Sequence, residues 1–341
     1  MPLTPLTAIV GDGQMGLVLA DALAQRGAPV RLWGRSEGRV RELARTRRSP
    51  QRLADFVLPD AVEVTADDEA LLKGVDLVVN AIPTQHIRSI WQRLAPHLPP
   101  GIPVVSVSKG IENTTLLRPT QVVAEAIGDD PDHPARPMCA LFGPTIAAEL
   151  ANHQPATMVA AAHDESVARL VQDTFNVEWL RVYRHDDLIG VELAGATKNV
   201  IALAAGMIDG MSIGYNAKSA LLSRGLAEIA RLGVAMGARV DTFFGIAGVG
   251  DLATTCFCPQ GRNRTCGERL GRGESLDTIL SSSVFVVEGV PTTRSVVELA
   301  ASHSVEMPIT AAVHAILFEG LAPADAISSL MRREPKAEWI G

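Results

Sequence analysis

Lysine is scarce in this chain, five residues against 26 arginines, and two of the five sit where a cation is costly. Lys198 lies in Gly195-Ala196-Thr197-Lys198-Asn199-Val200, within a stretch dense in small and apolar residues. Helical spacing would surround it with such residues on nearly every side, so its ammonium must either lose its charge or find an anion. Lys109 comes just after an apolar run, 103–107, and before Gly110. At the carboxyl end of a strand in an open α/β sheet, a lysine faces the ligand crevice. Asp251, in Gly248-Val249-Gly250-Asp251-Leu252, suits two roles: partner of Lys198, or cap of a helix after a turn. Arg262 and Asn263, in Gly261-Arg262-Asn263-Arg264, follow a Pro/Gln/Gly loop and suit the grip of a phosphate or a carboxylate. Gly143 and Thr145, in Phe142-Gly143-Pro144-Thr145, end another apolar run and offer backbone N–H groups and a hydroxyl to a ligand.

A second constellation lies near the start of the chain. Gly11-Asp12-Gly13-Gln14-Met15-Gly16 is a G-x-G-x-x-G turn between a strand-like run, Thr7-Ala8-Ile9-Val10, and a helical pattern over 15–26. The context gives the motif its meaning. The first glycine permits the tight turn, the second lets the backbone approach a pyrophosphate, and the third lets the helix pack on the sheet. The helix start then presents unpaired N–H groups and a positive dipole end to phosphate oxygens. Gly11, Gly13, Gln14, Met15 and Gly16 are therefore candidate dinucleotide contacts. The next strand-like run, Val30-Arg31-Leu32-Trp33, leads into Gly34-Arg35-Ser36-Glu37. An acidic residue there would hold the ribose hydroxyls of NAD, whereas Arg35 suits the 2′-phosphate of NADP. The expectation is NADP(H), with NAD(H) left open by Glu37.

These residues need a scaffold, and the chain supplies two kinds. Up to about residue 188, short apolar runs (7–10, 30–33, 75–82, 103–107, 138–142, 157–160) alternate with helical patterns, one of them capped by Asp164 and running to about Phe175. Such alternation implies βαβ units and a mostly parallel sheet. Beyond it strand-like runs nearly vanish. Helical stretches follow at 190–208, 217–236, 292–302 and 310–320, with a last one from Pro323 to about Met331. The expected architecture is α/β: a Rossmann-type dinucleotide-binding domain over 1–188, then an all-helical substrate-binding and catalytic domain over 189–341. The small residues of 190–208 imply that helices approach closely there.

Composition narrows the function further. In 341 residues, 47% are hydrophobic, 20% charged and 4% aromatic, which builds a packed core rather than a disordered chain. A net charge of -7 argues against a nucleic-acid partner. It leaves room for a small phosphate substrate, because a local cluster of cations can oppose the global sign. The four cysteines, Cys139, Cys256, Cys258 and Cys266, match neither a disulfide framework nor a zinc site. No basic stretch followed by an apolar run marks a signal peptide at residues 1–7, and the longest apolar runs fall well below the ~18 residues of a membrane span. The expectation is a cytoplasmic protein with no integral membrane segment, no metal, and a homodimer admitted.

Taken together, the motifs resemble the NAD(P)-dependent glycerol-3-phosphate dehydrogenases of the bacterial kind. The resemblance runs from Gly11 to Pro308. Besides the segments above it rests on Leu32-Trp33-Gly34-Arg35, Ser108-Lys109-Gly110, Gly143-Pro144-Thr145-Ile146-Ala147-Ala148-Glu149-Leu150, Arg224-Gly225-Leu226-Ala227-Glu228 and Val287-Glu288-Gly289. It implies reversible hydride transfer between a reduced nicotinamide and C2 of dihydroxyacetone phosphate, giving sn-glycerol 3-phosphate for glycerophospholipid synthesis. It implies that Lys198 is the acid/base, that Lys109 touches both substrate and cofactor, and that Asp251 lies beside Lys198. Gly143, Thr145, Gly261, Arg262 and Asn263 become substrate contacts. Ala147, Arg262, Val286 and Glu288 become cofactor contacts. Three positions depart from the family's habit: Met15 stands where an aromatic is usual, and Phe142 and Gly261 where serine is usual.

Two other readings fit the same residues. One is a different two-domain dehydrogenase, acting on a hydroxy acid or a ketopantoate-like substrate, which would need a carboxylate clamp. The other is a non-catalytic dinucleotide sensor, which would not need an acid/base.

Overall fold

The computed structural model describes residues 4–283, 285–335 and 337. It divides into two compact units, Met1–Ser108 with Pro119–Leu188, and Lys109–Arg118 with Ile189–Gly341. The helical unit thus also claims Lys109–Arg118, ten residues that the sequence pattern assigns to the sheet.

Among the described residues the first unit has ten strands: β1 Thr7–Val10, β2 Val30–Trp33, β3 Arg48–Ser49, β4 Leu53–Val57, β5 Val62–Thr65, β6 Leu77–Asn80, β7 Val104–Ser106, β8 Met138–Phe142, β9 Ala156–Ala161 and β10 Leu180–His185. Eight of them make one sheet in the order β10-β9-β8-β7-β6-β1-β2-β5, while β3 and β4 pair separately. Neighbours in the large sheet are parallel except β8 and β9, which run antiparallel with Leu141 opposite Ala160. The chain leaves β1 towards β2 and β5 on one side, then crosses to β6 on the other. The end of β1 is therefore the point where the strand order reverses, the place where open α/β sheets bind ligands.

The central strands are buried throughout, since helices cover both faces of a parallel sheet, and they read as unbroken apolar runs. The strands that the apolar pattern does not reveal are at or near the edges. In β5, Val-Glu-Val-Thr, and β10, Leu-Arg-Val-Tyr-Arg-His, buried and more exposed residues alternate, so no apolar run marks them. Asp164 caps the helix Glu165–Phe175 by accepting from Ser166 N, as its position suggests.

The second unit is helical among its described residues. Its longest helix, Leu188–Gly210, contains a window of mean hydropathy 1.4, enough by length and composition to cross a membrane, but 94% of that window is buried inside the fold. It is the core helix of the unit. Its small residues have a specific use. A Cβ on Gly206 or Gly210 would strike the backbone of Arg264 or Glu268, and one on Gly267 or Gly271 the backbone of Leu203 or Met207. The helices Leu188–Gly210 and Arg262–Gly271 therefore pack backbone to backbone on reciprocal glycines. That contact sets the Lys198 helix against the Arg262-Asn263 turn. A further anchor is Glu228, on the helix Tyr215–Ala235. Its buried carboxylate accepts from Ile309 N at 2.6 Å and from the N–H and hydroxyl of Thr310 at 3.1 Å. It caps the helix Pro308–Phe318, whose own cap residue Met307 provides no side-chain acceptor.

Candidate active site

Lys198 projects from the middle of the core helix and is 6% exposed. Its Nζ donates to Asp251 Oδ1 and, at 2.5 Å, to the hydroxyl of Thr255. The other oxygen of Asp251 accepts from Lys109 Nζ at 2.7 Å. One carboxylate, itself 1% exposed, therefore holds two ammonium groups. Asp251 does this from the first turn of the helix Asp251–Phe257, where Gly250, not Asp251, is the cap residue. Burial lowers the pKa of Lys198 to about 8, Asp251 works against that fall, and the positive charge of Lys109 adds to it. Next to it, burial pushes the Cys256 thiol up to about 12, so this sulfur stays protonated and inert.

A polar chain runs from this cluster to the arginine turn. Asn199 Nδ2 donates to the carbonyl of Lys109 at 3.3 Å, Asn263 Nδ2 donates to Asn199 Oδ1 at 2.9 Å, and Gly289 N donates to Asn263 Oδ1 at 2.9 Å. Asn263 is thus a buried tie between three segments, with one amide N–H left over. Arg262 is exposed, stands over the Phe285 ring and donates to the carbonyl of Val286 at 3.2 Å. Gly261 is the cap residue of the helix Arg262–Gly271 and supplies no side-chain acceptor. Arg264 points elsewhere, into an ion-pair network with Asp209 and Glu268. The helical unit therefore gathers Lys198, Asp251, Lys109, Asn263, Arg262 and Val286 through one connected set of contacts, with Glu288 beside Gly289.

Two members of this set, Thr255 and Asn199, escape a reading of the sequence. Thr255 lies four residues after Asp251, hence on the same helix face, and that spacing was the available signal. Asn199 is the neighbour of Lys198 in the chain.

The remaining candidates belong to the first unit. Gly11 has φ +127°, and a Cβ there would lie 2.6 Å from the Ala81 carbonyl oxygen. A Cβ on Gly16 would strike the Gly11 carbonyl, so the turn and the helix can close together only on glycine. Gly13, by contrast, opens on space and caps the helix Gln14–Gln25 without a side-chain acceptor. First-turn N–H groups beside an open approach are what a pyrophosphate requires, so these residues fit a dinucleotide. Gln14 turns its amide to the Arg52 carbonyl at 2.8 Å, and Met15 packs on the sheet core. Arg35 is exposed beyond the end of β2. Gly143 packs so closely on β9 that a Cβ would strike the Thr157 carbonyl, and Thr145 donates to the Gly143 carbonyl at 3.1 Å. Ala147 opens the short helix Ala147–Leu150 and packs on the same core.

The reversal of strand order at a glycine turn makes the first unit a Rossmann-type fold. Comparison with known proteins gives the lineage. Residues 7–168 match the N-terminal part of the NAD-dependent glycerol-3-phosphate dehydrogenases, and residues 187–328 match the C-terminal part. A protein of Salinibacter ruber named glycerol-3-phosphate dehydrogenase [NAD(P)+] 2 is 47% identical over 97% of this chain and 96% of its own length. One of the same name from Mycobacterium tuberculosis is 43% identical over 97% and 98%. A crystal structure of glycerol-3-phosphate dehydrogenase from Coxiella burnetii superposes with a TM-score of 0.92 at 33% identity, covering 97% of this chain and all of that one. The chain belongs to the NAD-dependent glycerol-3-phosphate dehydrogenase family.

Proposed function

We propose that this protein reversibly reduces dihydroxyacetone phosphate to sn-glycerol 3-phosphate with NAD(P)H, supplying the backbone of glycerophospholipids. The observation that carries the reading is the buried carboxylate of Asp251 shared by Lys198 and Lys109. When bound, the nicotinamide supplies a hydride to C2 of the ketone, or takes it back from the alcohol.

The chain's own residues do the rest. As C2 gains the hydride, negative charge develops on its oxygen. The Lys198 ammonium stabilises that charge and then transfers a proton to it, leaving a neutral amine and a hydroxyl. In the reverse direction the amine takes the proton. An amine with a pKa of about 8 can serve both directions near neutrality, whereas an ordinary lysine at about 10.4 would hardly ever be a base. Lys109 adds a second positive charge beside the developing oxyanion. Arg262 and the remaining amide N–H of Asn263 hold the substrate phosphate, which fixes where the carbonyl lies. On the first unit, the turn Gly11–Gly16 would hold the pyrophosphate and Arg35 the 2′-phosphate of NADP(H), with Ala147 as a further contact to the cofactor; of the helical unit's residues, Val286 and Glu288 are the candidate cofactor contacts. The reading admits a homodimer, which sedimentation tests, and a cytoplasmic location, which cell fractionation tests.

The test follows absorbance at 340 nm with dihydroxyacetone phosphate or 2-keto acids and either NADH or NADPH. Turnover of the ketone phosphate is expected, faster with NADPH. Turnover of 2-keto acids alone would move the protein to a hydroxy-acid activity. Lys198→Ala should fold, bind NADPH and lose kcat by at least ~100-fold; retained turnover would remove Lys198 from the acid/base role.

A further inference from the structure

The ten residues Lys109–Arg118 contain no helix or strand, yet they belong to the helical unit. Their change of allegiance takes place at one peptide bond. Ser108 is tied to the sheet, accepting from Asn80 Nδ2 at 2.9 Å and donating to the Ile82 carbonyl at 2.5 Å. Its neighbour Lys109 accepts on its carbonyl from Asn199 and gives its ammonium to Asp251.

Beyond Lys109 the segment is pinned to two helices. Ile111 lies fully buried in the helical core. Ser295, on the helix Gly289–Ser302, donates to the Ile111 carbonyl at 3.1 Å and meets Asn113 Oδ1 at 2.5 Å. The segment closes on itself through Leu116 N to the Glu112 carbonyl at 3.1 Å and Glu112 N to the Leu117 carbonyl at 3.0 Å. At its far end the Arg118 guanidinium pairs with Glu192, and both are buried. Glu192 stands on the Lys198 helix, six residues before the lysine.

We propose that the buried Arg118–Glu192 pair is a positioning element, which clamps the strap Lys109–Arg118 to the helical unit and so keeps the Lys109 ammonium on Asp251. The proposal rests on the reading of Lys198 and Lys109 given above and adds two residues that touch neither substrate nor cofactor. A flexible segment would hold a long lysine side chain poorly in place, because ordering it costs entropy at every rotatable bond. Pinning the strap at both ends, at Lys109 by its carbonyl and at Arg118 by its guanidinium, places that cost in the fold. The clamp also has a chemical consequence. Lys109 helps to hold the pKa of Lys198 down, so a loosened strap lets that pKa rise.

The variant is Glu192→Gln, with Asn113→Ala as a milder release of the same strap should Glu192→Gln not fold. Four readouts are taken on the whole protein. Hydrogen exchange over residues 110–118 should quicken at least ~10-fold, acetylation of Lys109 by acetic anhydride should quicken likewise, and the alkaline limb of kcat/KM for ketone reduction should move above its wild-type position. KM for dihydroxyacetone phosphate should rise more than kcat falls. A variant whose strap exchanges faster while Lys109 labelling, KM and the alkaline limb stay put shows a merely structural pair and overturns the proposal. Unchanged exchange overturns the clamp itself. Exchange and labelling need no turnover, so a wild-type enzyme inactive on the ketone phosphate would sink the activity and leave the clamp decided by those two.

Discussion

Replacing Asp251 by Asn keeps the shape of the site and removes the buried negative charge that Lys198 and Lys109 share. The consequence is calculable in sign and in scale. Lys109 Nζ lies 2.7 Å from one carboxylate oxygen, and Lys198 Nζ is bonded to the other. A unit charge at 2.7 Å and an effective dielectric near 20 is worth about 6 kcal/mol before solvation is counted. Measured shifts caused by a neighbouring opposite charge are smaller, about 1–3 pKa units. Taking the middle of that range, Asp251→Asn moves Lys198 from about 8 to about 6. At pH 7.5 the protonated fraction then falls from about three quarters to about 3%, a loss of about 25-fold in the form that can donate a proton. The variant should therefore reduce dihydroxyacetone phosphate with an alkaline limb of kcat/KM two units lower than the wild type, and should recover activity on acidification. Initial rates with saturating NADPH from pH 5.5 to 9.5 measure this directly. Stability supplies a second sign. An amine whose folded pKa lies below its unfolded value binds fewer protons folded than unfolded between the two values, so stability rises with pH across that window. The window runs from about 8 to about 10.5 in the wild type and opens downward in the variant. An alkaline limb that stays at about 8 in Asp251→Asn would refute the electrostatic account of Lys198.

Three further outcomes follow from other parts of the molecule. Arg35→Ser should raise KM for NADPH by about 10–100-fold, the worth of charge-assisted bonds to a phosphate, while KM for NADH barely moves. Glu228→Ala leaves two buried N–H groups at the head of Pro308–Phe318 without their acceptor and should cost about 1–3 kcal/mol in urea denaturation, with kcat retained in the folded enzyme. Gly267→Val drives a side chain against the Leu203 backbone and should cost about 1–3 kcal/mol or more, read as a lower denaturation midpoint and a weaker grip on the substrate phosphate.

The sequence shows best what is local and strongly patterned. The strands 30–33 and 138–142, the helix 323–331 and the cap at Asp164 are legible because apolar runs and capping residues act within a few positions. The partnership of Lys198 with Asp251 is also legible, since a buried lysine must find an anion and few carboxylates lie in apolar surroundings. The second lysine on the same carboxylate is not. Lys109 precedes Asp251 by 142 residues and follows a strand, so periodicity assigns it to the sheet. The polar ties at Ile111, Asn113 and Arg118 reveal that the strap belongs with the helices. Asn263 shows the converse limit. Its residue type suits an anion, and most of its amide is spent on holding Asn199 and Gly289.

Two lysines on one aspartate solve a problem that neither pair would solve alone. A single lysine paired with a buried carboxylate is held in its charged form, which makes it a fixed cation and a poor base. A single buried lysine without a partner gives up its proton well below neutrality and becomes a poor acid. In this site burial and Lys109 push the pKa of Lys198 down while Asp251 pushes it up, and the balance falls at about 8. The cluster is left with one net positive charge, enough to attract a phosphorylated ketone in a chain that carries -7 overall. The same balance makes the position of Lys109 matter as much as its presence, because the Coulomb push weakens with each ångström of separation. On the proposed acid–base role of Lys198, a strap pinned at Ile111, Asn113 and Arg118 would therefore take part in the chemistry, although none of those residues reaches the cluster.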